Sequence, residues 1–295
     1  MSTHELPLSD AHTRRPVIAW PTLLLGLAAA TLWFGSSAAA LAGHLGTGWA
    51  IALNALAAFW AFTVLHDASH NAISQYRWLN DWAGRLAMLP LSPAPIFKAF
   101  RFIHMQHHRF TNQGGALDPD DWCGGGRAWT LPFRWATLDL RYYVYYLPKL
   151  KQRPQAERRE TMVAALVGVV LVGIPVAAGY GMAVLLYWLI PARIAVGLLG
   201  FAFDFLPHHP YKVSAQENPW QATNNRVGME WLLTPLLLYQ NYHLVHHLYP
   251  RAPFYRYLRL WRAAEQQHLA QQPYLVSPLG RPLAPPASNA PKVSK

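Results

Sequence analysis

Four long apolar runs, separated by gaps of very unequal length, dominate the pattern of the chain. They cover 17–35, 51–65, 161–180 and 182–205. About 20 apolar residues in a helix cross a bilayer, so each run predicts a membrane-spanning helix. The gaps after the first and third runs are short, which predicts two helical hairpins. Trp49 precedes the second run, where an aromatic ring is typical of the membrane interface.

The remaining apolar stretches are too short to cross. Residues 88–97 carry three prolines and favour a re-entrant or surface-lying helix. Residues 231–238 are expected along the membrane surface. The fourth run contains Pro191 and Arg193, so either the span begins near Pro191 or Arg193 faces the bundle interior.

The distribution of Lys and Arg predicts the orientation of the four spans. Of 25 basic residues, all except Arg193 fall on the side that holds both termini, and the two short loops on the other side hold none. This pattern indicates that the basic side is cytosolic. It also explains the net charge of +11 without a nucleic-acid partner, because the basic residues form no single arm or helix.

The chain is therefore expected to be an all-α integral protein of the inner, cytoplasmic membrane. We predict a flexible cytosolic tail at 1–16, a membrane domain at 17–275 and a disordered Pro/Ala-rich tail at 276–295. The basic start and first run also resemble a signal peptide, but a second apolar run follows after a short neutral gap, which favours a span.

Histidines are the chemically distinctive residues. Two stretches place three of them at positions i, i+3 and i+4, and a third stretch places two at i and i+4. On a helix, such spacings put the side chains on one face, so each set can converge on one place. The sets are His104, His107 and His108; His243, His246 and His247; and His66 and His70.

His208, at the inner end of the fourth run, brings the number of clustered imidazoles to nine. A tetrahedral zinc site takes at most four protein ligands, so nine are too many for one ion. Two metal ions with four or five nitrogens each would account for them. An imidazole-rich site suits iron, zinc, copper or nickel.

Six polar residues are candidates to support the histidines through a hydrogen bond or a water, in competition with turn formation and helix capping. They are Asp204, Asp67, Asp118, Asp120, Asp121 and Asn241. The scattered single histidines are predicted to lie in solvent or at an interface: His4, His12, His44 and His268. His209 is adjacent to His208 but points elsewhere on a regular backbone, so it is not favoured as a ligand. The single cysteine, Cys123, excludes an internal disulfide and is expected to be an inert thiol.

A row of tyrosines follows the second set of histidines along the chain. Their clustering predicts interfacial aromatics rather than a substrate-binding stack. They are Tyr142, Tyr143, Tyr145 and Tyr146.

With these residues in view, 45–262 resembles the membrane fatty acid desaturase superfamily, integral di-iron oxygenases with three histidine boxes. The strings at 66–72, 203–208 and 240–250 are most similar to desaturase-type β-carotene hydroxylases. Tyr239 stands where carotenoid ketolases tend to carry histidine, which argues against a ketolase. Ser74 stands in the area where the hydroxylases often carry another histidine, so it departs from their pattern.

The resemblance implies a di-iron oxidoreductase with O₂ as co-substrate and a cytosolic helical cap that carries the metal site. The nine clustered histidines would be the iron ligands, and no further catalytic residue is implied. Electrons would come from a separate donor, a ferredoxin or similar carrier with its NAD(P)H reductase. A cysteine cluster for a fused carrier is not seen.

The resemblance is compatible with two classes of lipid-soluble substrate. Carotenoid β-ring hydroxylation is the first hypothesis, and a fatty acyl or lipid desaturase or hydroxylase is the alternative. A zinc hydrolase is less favoured because it does not need nine imidazoles. A metal transporter is less favoured because the histidines lie at the ends of the spans rather than at mid-membrane.

Overall fold

The computed structural model describes residues 13–114 and 117–283. In chain order its first elements are α1 (Trp20–Leu41), α2 (Thr47–Ser69), α3 (Arg77–Met88), α4 (Phe97–Phe110), α5 (Asp121–Gly124), a 3₁₀ turn at Ala128–Thr130, α6 (Leu131–Ala136), α7 (Leu138–Tyr146), a 3₁₀ turn at Leu147–Gln152, α8 (Gln155–Ala177) and α9 (Gly181–His208). There follow β1 (Asn224–Arg226), α10 (Glu230–Leu236), a 3₁₀ turn at Gln240–Tyr242, α11 (His243–Leu248), a 3₁₀ turn at Phe254–Arg256, α12 (Tyr257–Ala263), α13 (Glu265–Ala270) and β2 (Tyr274–Val276).

Within the part of the chain that the structure describes, four helices, α1, α2, α8 and α9, are long and apolar enough to cross a membrane, which confirms the four predicted spans. They form two hairpins, joined by short connections at 42–46 and 178–180. Each helix extends beyond its apolar run at one or both ends. Polar and small residues next to the run continue the helical pattern of backbone hydrogen bonds. Ser36, for example, stays inside α1 and donates its hydroxyl to the carbonyl of Leu32 at 2.7 Å.

Helix α2 is the most buried of the spans and lies between α1 and α9. Alanines on several of its faces let neighbouring backbones approach closely, as in other membrane bundles. Asn54 adds polar contacts, since its side-chain amide donates to Ser37 at 2.9 Å and to the carbonyl of Tyr187 in α9 at 2.7 Å.

Helix α9 is continuous from Gly181, so the span does not begin near Pro191. Two wide π-helical turns, Leu185–Leu189 and Gly200–Phe205, interrupt it. The first precedes Pro191, which lacks an N–H group and cannot donate within a helix. Arg193 does not face the bundle interior; it reaches the carbonyl of Ala136 and the carboxylate of Asp139.

The chain between α2 and α8, and the chain after α9, form a cap over one end of the bundle. Helix α3 is two-sided: Trp78, Trp82 and Leu86 are exposed at helical spacing, whereas Gly84 is buried against the ring of Phe97. Exposed aromatics in such a row are typical of a helix that lies in the membrane interface.

The prediction of a helix at 88–97 is wrong. Helix α3 ends at Met88, α4 begins at Phe97, and the residues between are irregular. Three prolines remove the N–H groups that a helix would need there. Glu160 of α8 links the two helices that flank this irregular segment. It forms ion pairs with Arg85 of α3 at 2.5 Å and with Lys98 of α4 at 3.2 Å.

The C-terminal part packs around buried Leu244, Tyr257 and Trp261, and β1 pairs with β2 in parallel. The predicted disordered tail is wrong for its first residues, because Val276 bridges to Pro282 and closes a turn. The rest of that tail, 284–295, and residues 1–12 of the predicted N-terminal tail lie outside the described residues.

Candidate metal centre

Four helices bring the clustered histidines together at the capped end of the bundle. Helices α2 and α9 contribute from their last turns, and α4 and α11 contribute one face each. The i, i+3 and i+4 spacing explains the local arrangement, since it aligns three side chains along one helix face. All nine histidines named from the sequence are found in this pocket.

The nine imidazoles divide into a group of five and a group of four. In each group, one ring nitrogen per residue lies within 4.8 Å of all the others. The first group comprises His66, His70, His104, His108 and His246, and the second comprises His107, His208, His243 and His247. Each of the two histidine triplets is therefore shared between the groups.

The converging atoms are Nε2 nitrogens at short range. Nε2 of His104 lies 2.8 Å from that of His70, and Nε2 of His246 lies 2.9 Å from that of His108. In the second group, Nε2 of His243 is 3.0 Å from that of His208. Two ligands about 2.1 Å from one ion and at right angles lie about 3.0 Å apart, so these separations suit a shared ion.

In two of the rings, an acceptor fixes the proton on the Nδ1 atom that faces away from the pocket. Nδ1 of His107 donates to Asp118 at 2.9 Å, and Nδ1 of His243 donates to the Oε1 atom of Gln240 at 2.7 Å. Each ring then presents a bare Nε2 to the pocket. Lone pairs that face one another repel unless a cation lies among them, so the donor chemistry fits bound metal.

Burial keeps most of these imidazoles neutral. It lowers the pKa of His104 and His246 well below the usual range, and neighbouring imidazoles lower the pKa further. The same causes lower the pKa of four others: His70, His108, His243 and His247. A neutral imidazole is the form that binds a metal ion.

His107 is the exception. Burial lowers its pKa, but Asp118 and Asp120 more than offset this and raise it to about 10. The Asp120 carboxylate lies 3.3 Å from the Nδ1 atom of His107. The second group therefore lies against a negative surface that stabilises positive charge, whether a proton or a metal ion carries it.

Three of the predicted supporting residues reach the centre. Asp118 and Asp120 contact His107, and Asp204 lies beside Asp120. A cleft of about 380 Å³, which Asp118, Asp120 and Asp204 line together with His107 and His208, leads to this side of the centre.

Among the described residues, the other three predicted supporting residues form no hydrogen bond to a histidine. Asp67 instead joins Thr22 of α1, at 2.9 Å, to the backbone N–H of Phe254. Asn241 donates to Thr234 at 3.2 Å, and Asp121 is exposed. Asp67 and Asn241 are close to clustered histidines in the sequence, but their side chains bond to other partners.

Sequence reasoning missed three residues around the centre. Tyr257 places its hydroxyl 2.9 Å from the Nδ1 atom of His246, and Gln240 holds His243. Tyr142 donates its hydroxyl to Asp120 at 2.7 Å, so it is not simply an interfacial aromatic. Of these three residues, only Gln240 could have been found from the sequence, because it lies three residues before His243, the histidine that it contacts.

The remaining histidines lie outside the centre. His44 is exposed, and His209 is exposed with its ring stacked on Phe205 at 4.6 Å. The prediction for His268 is wrong, because it is fully buried between the Tyr249 hydroxyl, at 3.0 Å, and the Trp261 carbonyl. His4 and His12 lie outside the described residues. Cys123 is buried, and burial raises the pKa of its thiol, as expected of an inert thiol.

Fold and site together define a four-span membrane protein with a histidine-rich centre under a helical cap. The sequence profile of the fatty acid desaturase family matches residues 44–277, most of the chain. The chain therefore belongs to the fatty acid desaturase family, whose named members below are oxidoreductases.

The relatives differ in the activity that their names give and in how much of each chain the match covers. An sn-1 oleoyl-lipid 12-desaturase of Picosynechococcus is 34% identical over 106 residues, 36% of this chain and 28% of that protein. A β-carotene ketolase of Paracoccus is 26% identical over 263 residues, 87% of this chain and 96% of that protein. An sn-1 acyl-lipid omega-3 desaturase (ferredoxin) of Nostoc is 22% identical over 253 residues, 73% of this chain and 68% of that protein. The match thus spans less than a third of the first relative.

Proposed function

We propose that the protein is an O₂-dependent di-iron membrane oxygenase that attacks C–H bonds of a lipid-soluble substrate. The observation that carries the proposal is the division of nine histidines into groups of five and four at the end of the spanning helices. We assign one iron to the group that contains His66 and the other to the group that contains His208. Family membership supports iron over the other ions that imidazole binds.

Bound iron would supply the electron transfers that activate O₂, and the chain supplies the surroundings. In a hydroxylation, O₂, two electrons and two protons convert a C–H bond to C–OH and release one water. In a desaturation, the same inputs remove two hydrogens and release two waters. The buried histidines keep bulk water from the centre, and Asp118 and Gln240 hold the orientation of His107 and His243.

For the substrate, we propose a carotenoid β-ring that becomes hydroxylated. The strings at 66–72 and 203–208 favour this reading, and so does a relative named as a β-carotene ketolase that matches over nearly its whole length. The second candidate is a fatty acyl or lipid desaturase or hydroxylase. The relative with 34% identity, named as a lipid desaturase, favours that candidate.

For the electron donor, we propose a separate acidic carrier such as a ferredoxin, with its NAD(P)H reductase. A cleft of about 660 Å³ begins just after His247 and is lined by Arg14, Arg15 and Arg251, with no acidic residue among the described residues of its lining. Positive charge steers an acidic partner and sets its orientation. The relative from Nostoc has a ferredoxin in its name.

For the orientation, we propose that the cap, the metal centre and both termini are cytosolic. The connections at 42–46 and 178–180 hold no Lys or Arg, whereas, among the described residues, the cap side holds all the basic residues except Arg193. Short loops without positive charge are the ones that cross to the outside.

Expression in cells that accumulate β-carotene tests the function directly. We expect new hydroxylated pigment and two irons per purified chain. New keto-pigment would instead indicate a ketolase, and unchanged pigment with altered membrane fatty acids would support the second candidate. Bound zinc with no oxygen consumption would overturn the proposal in favour of a hydrolase.

A pair of neighbouring histidines supplies matched variants for this assay. His208→Ala removes a proposed ligand, and we expect it to abolish product formation. His209→Ala removes an exposed ring outside both groups, and we expect near-normal product. Equal activity of the two variants would refute the assignment of His208.

A further inference from the structure

Helix α7 has two unlike faces. Leu140 and Val144 are exposed, and Leu147, one turn beyond Val144, continues the same apolar row. The opposite face carries Leu138 and Tyr146, which are buried against the protein. An apolar outer face on a short helix beside the spans is typical of a helix that lies in the membrane interface. Helix α7 therefore separates the bilayer from the interior of the cap.

Behind α7 lies an apolar space, which we call the α7 cavity. It consists of two adjoining cavities of about 80 and 50 Å³. Residues of the spans, such as Phe62 of α2 and Val196 of α9, line the larger cavity. Residues common to both cavities are Met88, Ser92, Phe100, Asp139 and Tyr142. The cavity thus runs between the membrane helices and the underside of α7.

The inner end of the α7 cavity borders the metal centre. Tyr142 and Asp204 both line the cavity. The Tyr142 hydroxyl donates to Asp120 at 2.7 Å, and Asp120 lies 3.3 Å from the Nδ1 atom of His107. The Tyr142 ring therefore stands between the apolar space and the second group of histidines.

A charged pair between α9 and α7 holds one wall of the cavity. Arg193 of α9 donates to Asp139 through both terminal nitrogens, one of them at 2.9 Å, and also to the Ala136 carbonyl. Arg193 lies within the α9 span, and charged residues in such segments are costly and usually functional. Asp139 and Tyr142 are three residues apart on α7, so the pair also fixes the face that carries Tyr142.

We propose, on the basis of the proposed function, that the α7 cavity is the substrate site and takes the apolar chain of the substrate from the bilayer. The reacting carbon lies at the Tyr142 end, and the ring of Tyr142 sets how far the chain reaches. Arg193 and Asp139 are positioning residues that hold α7 as the wall of the site. Most of the lining is apolar, and Asp139 and Asp204 are its only acidic residues among those that the structure describes, so the site favours a hydrocarbon segment over an anionic head group.

Steady-state kinetics of the purified, iron-loaded enzyme test the positioning role. For Arg193→Met we expect the KM to rise about fivefold, the size expected for a lost, partly exposed ion pair, with little change in kcat. The exchange Arg193→Asp with Asp139→Arg should recover part of the loss. Iron content and the slow labelling of buried Cys123 should stay unchanged, which separates this effect from unfolding. An unchanged KM in Arg193→Met would overturn the role.

Photo-crosslinking with a long-chain alkyl diazirine tests the site without any turnover. We expect label on the cavity-lining residues Tyr142 and Phe100, and less label on Phe100 in Tyr142→Trp, which fills the space. Val144→Ala, on the lipid face of the same helix, should label like the unaltered protein. Absence of label at Tyr142 in an active enzyme would refute the site. Label at Tyr142 in a protein that converts neither carotenoid nor acyl lipid would refute only the proposed function.

Discussion

At the scale of single residues, hydrogen bonds to the outer nitrogens decide how the histidines face the centre. Tyr257 is the test case, because its hydroxyl lies 2.9 Å from the Nδ1 atom of His246. Tyr257→Phe keeps the ring and removes only this partner. We expect about a 10- to 100-fold loss of metal affinity, the usual effect of removing a group that orients a ligand. Iron retention during dialysis against a chelator measures it.

The same core offers a matched control for that variant. Tyr249 places its hydroxyl 3.0 Å from the Nε2 atom of His268, which belongs to neither histidine group. Tyr249→Phe therefore loses a Tyr–His hydrogen bond of nearly equal length away from the centre. We expect lower thermal stability and normal iron retention. Equal iron loss in both variants would show that Tyr257 acts only through general packing.

At the scale of elements, the contact between α3 and α4 sets the position of the helix that carries three of the histidines. A Cβ atom on Gly84 would lie 2.1 Å from Cε2 of Phe97, so only glycine fits. Gly84→Ala must displace the first residue of α4. We expect a destabilisation of about 1–3 kcal/mol, as for other overpacked sites, seen as a lower unfolding temperature in detergent.

Gly35 in α1 provides the comparison. Nothing lies within 4 Å of a Cβ atom at this position. Alanine is the better helix former by about 1 kcal/mol, so Gly35→Ala should leave the unfolding temperature equal or slightly higher. A fall as large as that of Gly84→Ala would mean that the packing of α3 on Phe97 is not the cause.

At the scale of the whole molecule, the distribution of charge links orientation to electron supply. If the cap is cytosolic, an acidic carrier reduces the enzyme in inverted membrane vesicles and not in right-side-out ones. Arg251→Glu, in the basic cleft, should slow reduction by about tenfold at low salt. High salt should shrink that difference, because it screens the charges.

Arg159→Glu changes the net charge equally and serves as the control. Arg159 is exposed near the start of α8 and does not line the cleft. We expect it to behave like the unaltered protein. Reduction that is indifferent to both salt and Arg251 would refute docking at the cleft, and reduction only in right-side-out vesicles would refute the orientation.

Much of the molecule could be predicted from local pattern. Apolar length predicts a membrane span because a helix rises by a fixed amount per residue. Histidine spacing predicts a shared helix face for the same geometric reason, and all nine clustered histidines do meet in one pocket. These properties depend on residues close together in the chain, so the sequence by itself determined them.

Tertiary structure decided the rest. His246 joins the first group while its neighbour His247 joins the second, because adjacent helical residues point about 100° apart toward different partners. Arg193 and Tyr257 each contact a residue from another helix, and Asp67, beside a clustered histidine, turns away to Thr22. Such contacts depend on where separate helices pack, which no spacing within one segment encodes.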